Sequence, residues 1–120
     1  MSSTYSRAMS AGTAAYAVFA LLKPRHLGRA LTPSPLEQPD YDVVARTYGA
    51  RDLAISALAI AAPTTQARES AMFARIFLDL SDAATLTPRV RGKAAKAKVL
   101  GVTLIWATLN IAAVVADREE

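Results

Sequence analysis

The run from Val99 to Ala116 holds eighteen residues and no charged side chain. Wound into a helix it has no polar face to turn to water, which argues against the alternative of a small soluble bundle whose charged stripe faces water. It is long enough to cross hydrocarbon, and it carries Leu104, Ile105, Trp106, Leu109, Ile111 and Val115. This segment is the clearest transmembrane span in the chain, and the remaining segments are read around it.

Three more apolar segments precede it. Ala8 to Leu22 is uncharged and closes at Lys23-Pro24, a charge followed by a helix breaker. Val43 to Ala62 closes at Pro63 and would measure about 30 Å as a helix, the thickness of a bilayer core. Thr65 to Leu86 closes near Pro88. The connection from Lys23 to Asp42 contains four prolines and reads as a loop. The connection around Pro63 to Gln66 is so short that the second and third helices must form an antiparallel hairpin. Hydrophobic residues make up 52% of the chain and many are Ala, which suits close helix packing and argues against a sheet. The expected fold is therefore all-α, a four-helix transmembrane bundle in a single integral membrane domain spanning residues 1–120.

The net charge of +4 does not point to nucleic acid, because no basic reading helix is present. The charges instead flank the apolar segments. Lys23, Arg25 and Arg29 lie in one connection, and Arg89, Arg91, Lys93, Lys96 and Lys98 lie around another, against Arg7, Arg68 and Arg118 on the opposite side. The rule that basic connections stay inside predicts a multi-pass protein of the cell (inner) membrane with both termini non-cytoplasmic. A cleaved signal peptide is disfavoured, since Lys23, Pro24 and Arg25 stand where a small-residue cleavage site would be. The absence of Cys and the single His leave no conventional zinc or thiolate site, and neither a metal nor a cofactor is expected.

Against this apolar background the third segment carries Arg75, Asp79 and Asp82 at i, i+4 and i+7. Together with Arg68 they fall within one narrow arc of a helix. Tyr48, Arg51, Asp52 and Ile55 share an arc on the second helix. If the hairpin turns near Thr64 and Thr65, Arg51 and Asp52 stand at the depth of Leu78 and Asp79. An interior network is predicted in which Arg51 and Arg75 are shared among Asp52, Asp79 and Asp82. Two Arg against three Asp leave one negative charge in surplus unless Arg46 contributes. Charges at bilayer depth are turned inward and paired, and one carboxyl in such a cluster can carry a proton.

Two uses of the network stay open. In one, Asp52, Asp79, Asp82, Arg51 and Arg75 are acid–base machinery for a lipophilic substrate, as in an isomerase, cyclase or epoxide-opening hydrolase, with Tyr48, Arg46 and Trp106 as ligand contacts. In the other they fix a bundle that binds a lipophilic ligand or partner helix, or form a purely structural network that sets helix register. A proton-coupled carrier is a third reading and would need a homo-oligomer to enclose a water path. The expected partners are the lipid bilayer and a lipophilic small molecule, with no nucleic acid. Asp79 and Asp82 also show the D-x-x-D spacing of magnesium–diphosphate sites, but the usual second acidic motif is missing. Gly49 reads as a packing position, Asn110 as an interhelical hydrogen-bonding group, and His26 as a solvated loop residue.

Leu22-x-Pro24 with Gly28, then Arg46-Thr-Tyr-Gly-Ala-Arg51-Asp52, then Asp79 and Asp82, together resemble a family of small four-helix integral membrane proteins of unknown function from bacteria and fungi. The resemblance covers nearly the whole chain. It implies a four-span membrane protein whose characteristic polar positions are the Arg-Asp pair of the second helix and the Asp residues of the third, and it brings no established activity.

Overall fold

Prolines and one glycine decide where the helices stop. In the computed structural model, which describes residues 3–119, α1 (Thr4–Leu22) ends at Lys23, whose amide bonds the Phe19 carbonyl at 2.7 Å. Pro24 follows, and it has no N–H with which to continue the helix. Its fixed φ, here −63°, opens the short α2 (Arg25–Leu31) instead. α3 (Asp42–Ala61) stops ahead of Pro63, and Thr64 restarts the chain by accepting a 3.0 Å bond from the Ala67 amide at the head of α4 (Thr65–Leu86). A 3-10 turn over Thr87–Arg89 leads to Gly92, whose φ of +87° favours glycine, and α5 (Lys93–Glu119) follows. The described residues form five α-helices and no strand.

The four long helices run alternately up and down. α1 packs on α3 and α5, and α4 packs on the same two. The ends confirm the directions: the start of α1 meets the end of α5 at Asp117, and the start of α4 meets the end of α5 through the Glu69–Arg118 pair. Both described termini therefore lie at one end, and α2 with the basic connections lies at the other.

Three boundaries differ from the sequence reading. The proline-rich connection is not simply a loop: it contains α2 and a 3-10 turn over Gln38–Tyr41. It is held by the Thr32 hydroxyl donating to Glu37 at 3.1 Å and by Gln38 donating to the Thr32 carbonyl at 3.2 Å. α1 starts earlier than Ala8, and α5 extends beyond Val99–Ala116 at both ends. The lysines at the head of α5 do not end the helix, because their long stems carry the charge to neighbouring carbonyls. Lys96 Nζ reaches Thr87 O and Val90 O at 2.9 Å each, and Lys98 Nζ reaches Ala30 O at 2.9 Å.

The interior is assembled from small and polar residues spaced alternately four and three apart, the spacing that keeps one seam of a helix facing its neighbours. α1 supplies Ser6, Ser10, Thr13, Ala17 and Ala20; α3 supplies Ala45, Gly49, Asp52, Ser56 and Ala59. α4 supplies Arg68, Met72, Arg75, Asp79, Asp82 and Leu86. Many large apolar side chains point the other way: Phe77 is 69% exposed, Leu58 66% and Val102 65%, whereas Asn110 and Asp79 are 1% and 3% exposed. Among the described residues one helix, α5, is long and apolar enough to cross a membrane, and only 28% of its most apolar stretch is buried. α3 and α4 fall short of that criterion, and both carry charged residues along their length, at the surface as well as in the interior.

Helix ends are satisfied by charged side chains from elsewhere in the fold, each with the sign that complements the helix dipole. The buried Asp117 carboxylate accepts from the amides of Tyr5 and Ser6, at 3.0 and 2.9 Å, while the Ser3 side chain makes no capping bond. Arg68, also buried, donates to Ala59 O and Ala62 O at the end of α3. Asp117→Ala is expected to cost about 0.5–2 kcal/mol, the range of a lost N-cap. Hydrogen exchange at Tyr5 and Ser6 should accelerate selectively, and unchanged protection there would remove Asp117 as the cap.

Candidate functional site

Across the α3–α4 hairpin the charged side chains form an alternating string, Asp82–Arg51–Asp52–Arg75–Asp79. Arg51 lies on α3 and grips Asp82 of α4 with both terminal nitrogens, at 3.0 and 2.7 Å, while its Nε donates to the adjacent Asp52 at 3.0 Å. Arg75 of α4 returns the exchange. Its Nη1 stands 2.7 Å from Asp52 Oδ1, and its Nη2 donates to Asp52 Oδ2 and Asp79 Oδ1, at 3.2 Å each. The equal-depth argument from the short hairpin thus brings together all five charged residues, and the buried ion pairs it predicts are present.

The string occupies one layer of the bundle. Toward the basic end it is bounded by Leu31, Leu86, Val90, Ala95 and Val99, with Tyr48 packed against them. Toward the termini it is bounded by Ala59, Met72, Ala113 and Val114. Apolar layers on both sides keep these ion pairs away from the bundle ends, so each charge depends on its partner. From Arg51 to the Asp79 end exposure falls: the Arg51 side chain is 24% exposed, Asp79 only 4%. Four polar atoms in this seam have no hydrogen-bond partner, namely Arg75 Nε and Nη1, Asp79 Oδ2 and Ser56 Oγ.

The other candidates are placed differently. Tyr48 lies under Arg51, its ring centroid 4.5 Å from the guanidinium carbon, and so holds the cation in place. Arg46 is exposed on α3 and forms no ion pair within the string, so it does not balance the surplus carboxylate. Trp106 donates its indole N–H to Thr13 at 2.9 Å, tying α5 to α1. Asn110 does not bridge helices; its amide donates to Trp106 O within α5, where the carbonyl one turn back is the nearest acceptor. His26 is not a free loop residue. It lies on α2 with Nε2 2.6 Å from the Tyr16 hydroxyl and Nδ1 2.7 Å from Lys23 O, and its ring packs edge-on against Tyr16. Asp79 and Asp82 turn to different arginines, so the D-x-x-D pair does not converge as a joint carboxylate site.

Gly49 fulfils its expected packing role, since a Cβ there would come within 3.1 Å of the Ala17 carbonyl where α1 and α3 meet. Arg68 and Asp117 are the polar residues whose roles the sequence reading missed. Arg68 shares the arc of Arg75 and Asp79, which was the available signal, and Asp117 continues the seam of Asn110 at i+7. Cavities lie at the bundle ends. One of about 200 Å³ is lined by Thr32, Glu37, Asp40, Tyr41, Arg89 and Arg91, and one of about 10 Å³ adjoins Arg68 and Asp117. Comparison with known proteins finds no matching family model, no matching curated sequence and no matching solved structure.

Proposed function

We propose that this chain is a small integral membrane protein whose four long helices, α1, α3, α4 and α5, all cross the bilayer, and whose Arg/Asp string stabilises the bundle by locking α3 to α4. The observation that carries this reading is the inverted distribution of side chains. Arg75, Asp79, Asn110 and Ser56 are buried, while Phe73, Phe77, Leu58 and Ile105 face outward. Water would penalise so much exposed apolar surface, and lipid does not. The string favours a structural use, because three of its five charged groups, Arg51, Asp52 and Arg75, have close partners on both α3 and α4. The motifs that carry the family resemblance contribute Arg51, Asp52, Asp79 and Asp82 to it.

In this reading the basic end faces the cytoplasm and both termini face away from it. Arg68 drops out of the opposing charge count because it is buried at the end of α3, and Arg118 is paired with Glu69, which sharpens the asymmetry.

The chain should pellet with membranes after alkaline carbonate washing and require detergent for release; recovery in the supernatant without detergent would refute the proposal. The chain has no Cys, so single substitutions report orientation directly. Ser3→Cys should react with an impermeant maleimide in intact cells, and Lys93→Cys only after permeabilisation. The reverse pattern would overturn the orientation.

A further inference from the structure

We infer that Asp79 is a proton-binding site, a carboxylic acid that terminates the charged string and makes it neutral as a whole. The inference rests on the membrane-bundle reading, in which the string has no water to neutralise it.

Charge balance supplies the first half of the argument. Three carboxyls and two guanidinium groups leave one negative charge, and among the described residues no other cation in the interior is available to cancel it. The groups facing Asp79 are Arg75 and Asp82 on its own helix and Arg51 and Asp52 on α3. The buried face of α1 is Ser6, Ser10, Thr13, Ala17 and Ala20, with no formal charge, and Tyr16 lies on its exposed side. α5 brings neutral residues to this level, its buried Asp117 being engaged with backbone amides at the bundle end. Arg68 is committed to the carbonyls of Ala59 and Ala62. An isolated charge in such surroundings is neutralised by proton uptake.

Geometry decides which carboxyl takes the proton. Asp82 receives both terminal nitrogens of Arg51, and Asp52 receives Arg51 Nε and Arg75 Nη2 and also stands 2.7 Å from Arg75 Nη1 as an ion pair. Asp79 has only a share of Arg75 Nη2, at 3.2 Å, and its Oδ2 has no donor at all. It is also the least exposed member. A proton on Oδ2 forms the O–H bond there, leaves Oδ1 as the carbonyl oxygen that accepts from Arg75, and brings the string from one net negative charge to none. When the proton leaves, Arg75 is drawn toward Asp79 and away from Asp52, so proton binding is coupled to the pairing of α3 with α4.

The test is infrared spectroscopy of the purified full chain in lipid at neutral pH. A carbonyl band of a protonated carboxylic acid is expected, shifting to lower frequency in D2O and lost in Asp79→Asn. Because Asn reproduces the neutral acid, that variant should fold and keep the wild-type melting temperature at neutral pH, whereas Asp52→Asn and Asp82→Asn should lower it. Raising the pH should lower the melting temperature of the wild type, because the folded state releases its extra proton, and should leave Asp79→Asn comparatively flat. Absence of the acid band in the wild type, its persistence in Asp79→Asn, or destabilisation of Asp79→Asn to the extent of Asp52→Asn would each overturn the inference. Failure of the membrane reading is distinguished from these by release of the protein without detergent.

Discussion

Arg75→Met is expected to be among the most damaging single substitutions in the chain, costing about 3–5 kcal/mol of folded-state stability, the range for breaking a buried ion pair by removing one partner. Arg75 is the hinge of the string: its terminal nitrogens serve Asp52 and Asp79 together, and its side chain is only 9% exposed. Without it Asp52 keeps one donor, Arg51 Nε, and Asp79 keeps none. Arg75→Lys should recover only part of the loss, because an ammonium is a point charge and does not reproduce a planar fork aimed at two carboxylates. Replacing Asp52, Arg75 and Asp79 together by Leu, Met and Leu should be milder than Arg75→Met alone, since it leaves no charge stranded. Unfolding in a single detergent reads all of these. A loss for Arg75→Met no larger than that of the exposed Arg7→Met would show that the string contributes little.

Gly28→Ala should lose about 1–3 kcal/mol or more, the cost of inserting a methyl where no space exists. Gly28 is buried on α2 where the Gln38–Tyr41 turn crosses it, and a Cβ there would collide with the backbone carbonyl of Gln38. A side-chain neighbour can rotate away, but a carbonyl within a turn moves only with its chain. Gly12 and Gly101 are the controls: a Cβ at either has nothing within 4 Å. Ala at those positions is expected to stabilise α1 and α5 by about 0.5–1 kcal/mol through backbone entropy. Equal thermal shifts for Gly28→Ala and Gly12→Ala would remove the close approach as the reason for glycine at position 28.

The α3–α4 hairpin and its charged network were legible in the sequence because both follow from local rules. Pro63 and Thr64 fix the turn, the connection is too short for anything but an antiparallel return, and equal distance from the turn means equal depth. Residues 23–42 were less legible. Four prolines argue for a loop, yet Pro24 also pre-sets the first turn of α2, and the bonds between Thr32, Glu37 and Gln38 depend on local folding that composition does not reveal.

What the amino-acid sequence determined by itself is therefore the helical content, most helix stops, and the membership of the Arg/Asp network, all of which depend on separations of a few residues or on one short turn. Tertiary structure alone decided the order of charges along the string, with Asp79 at its underserved end, because sharing two guanidinium groups among three carboxylates depends on where their planes lie. It also decided that Arg68 and Asp117 close helix ends, since a carbonyl or amide left open at the end of one helix is matched by whichever charge the packing of another brings within about 3 Å.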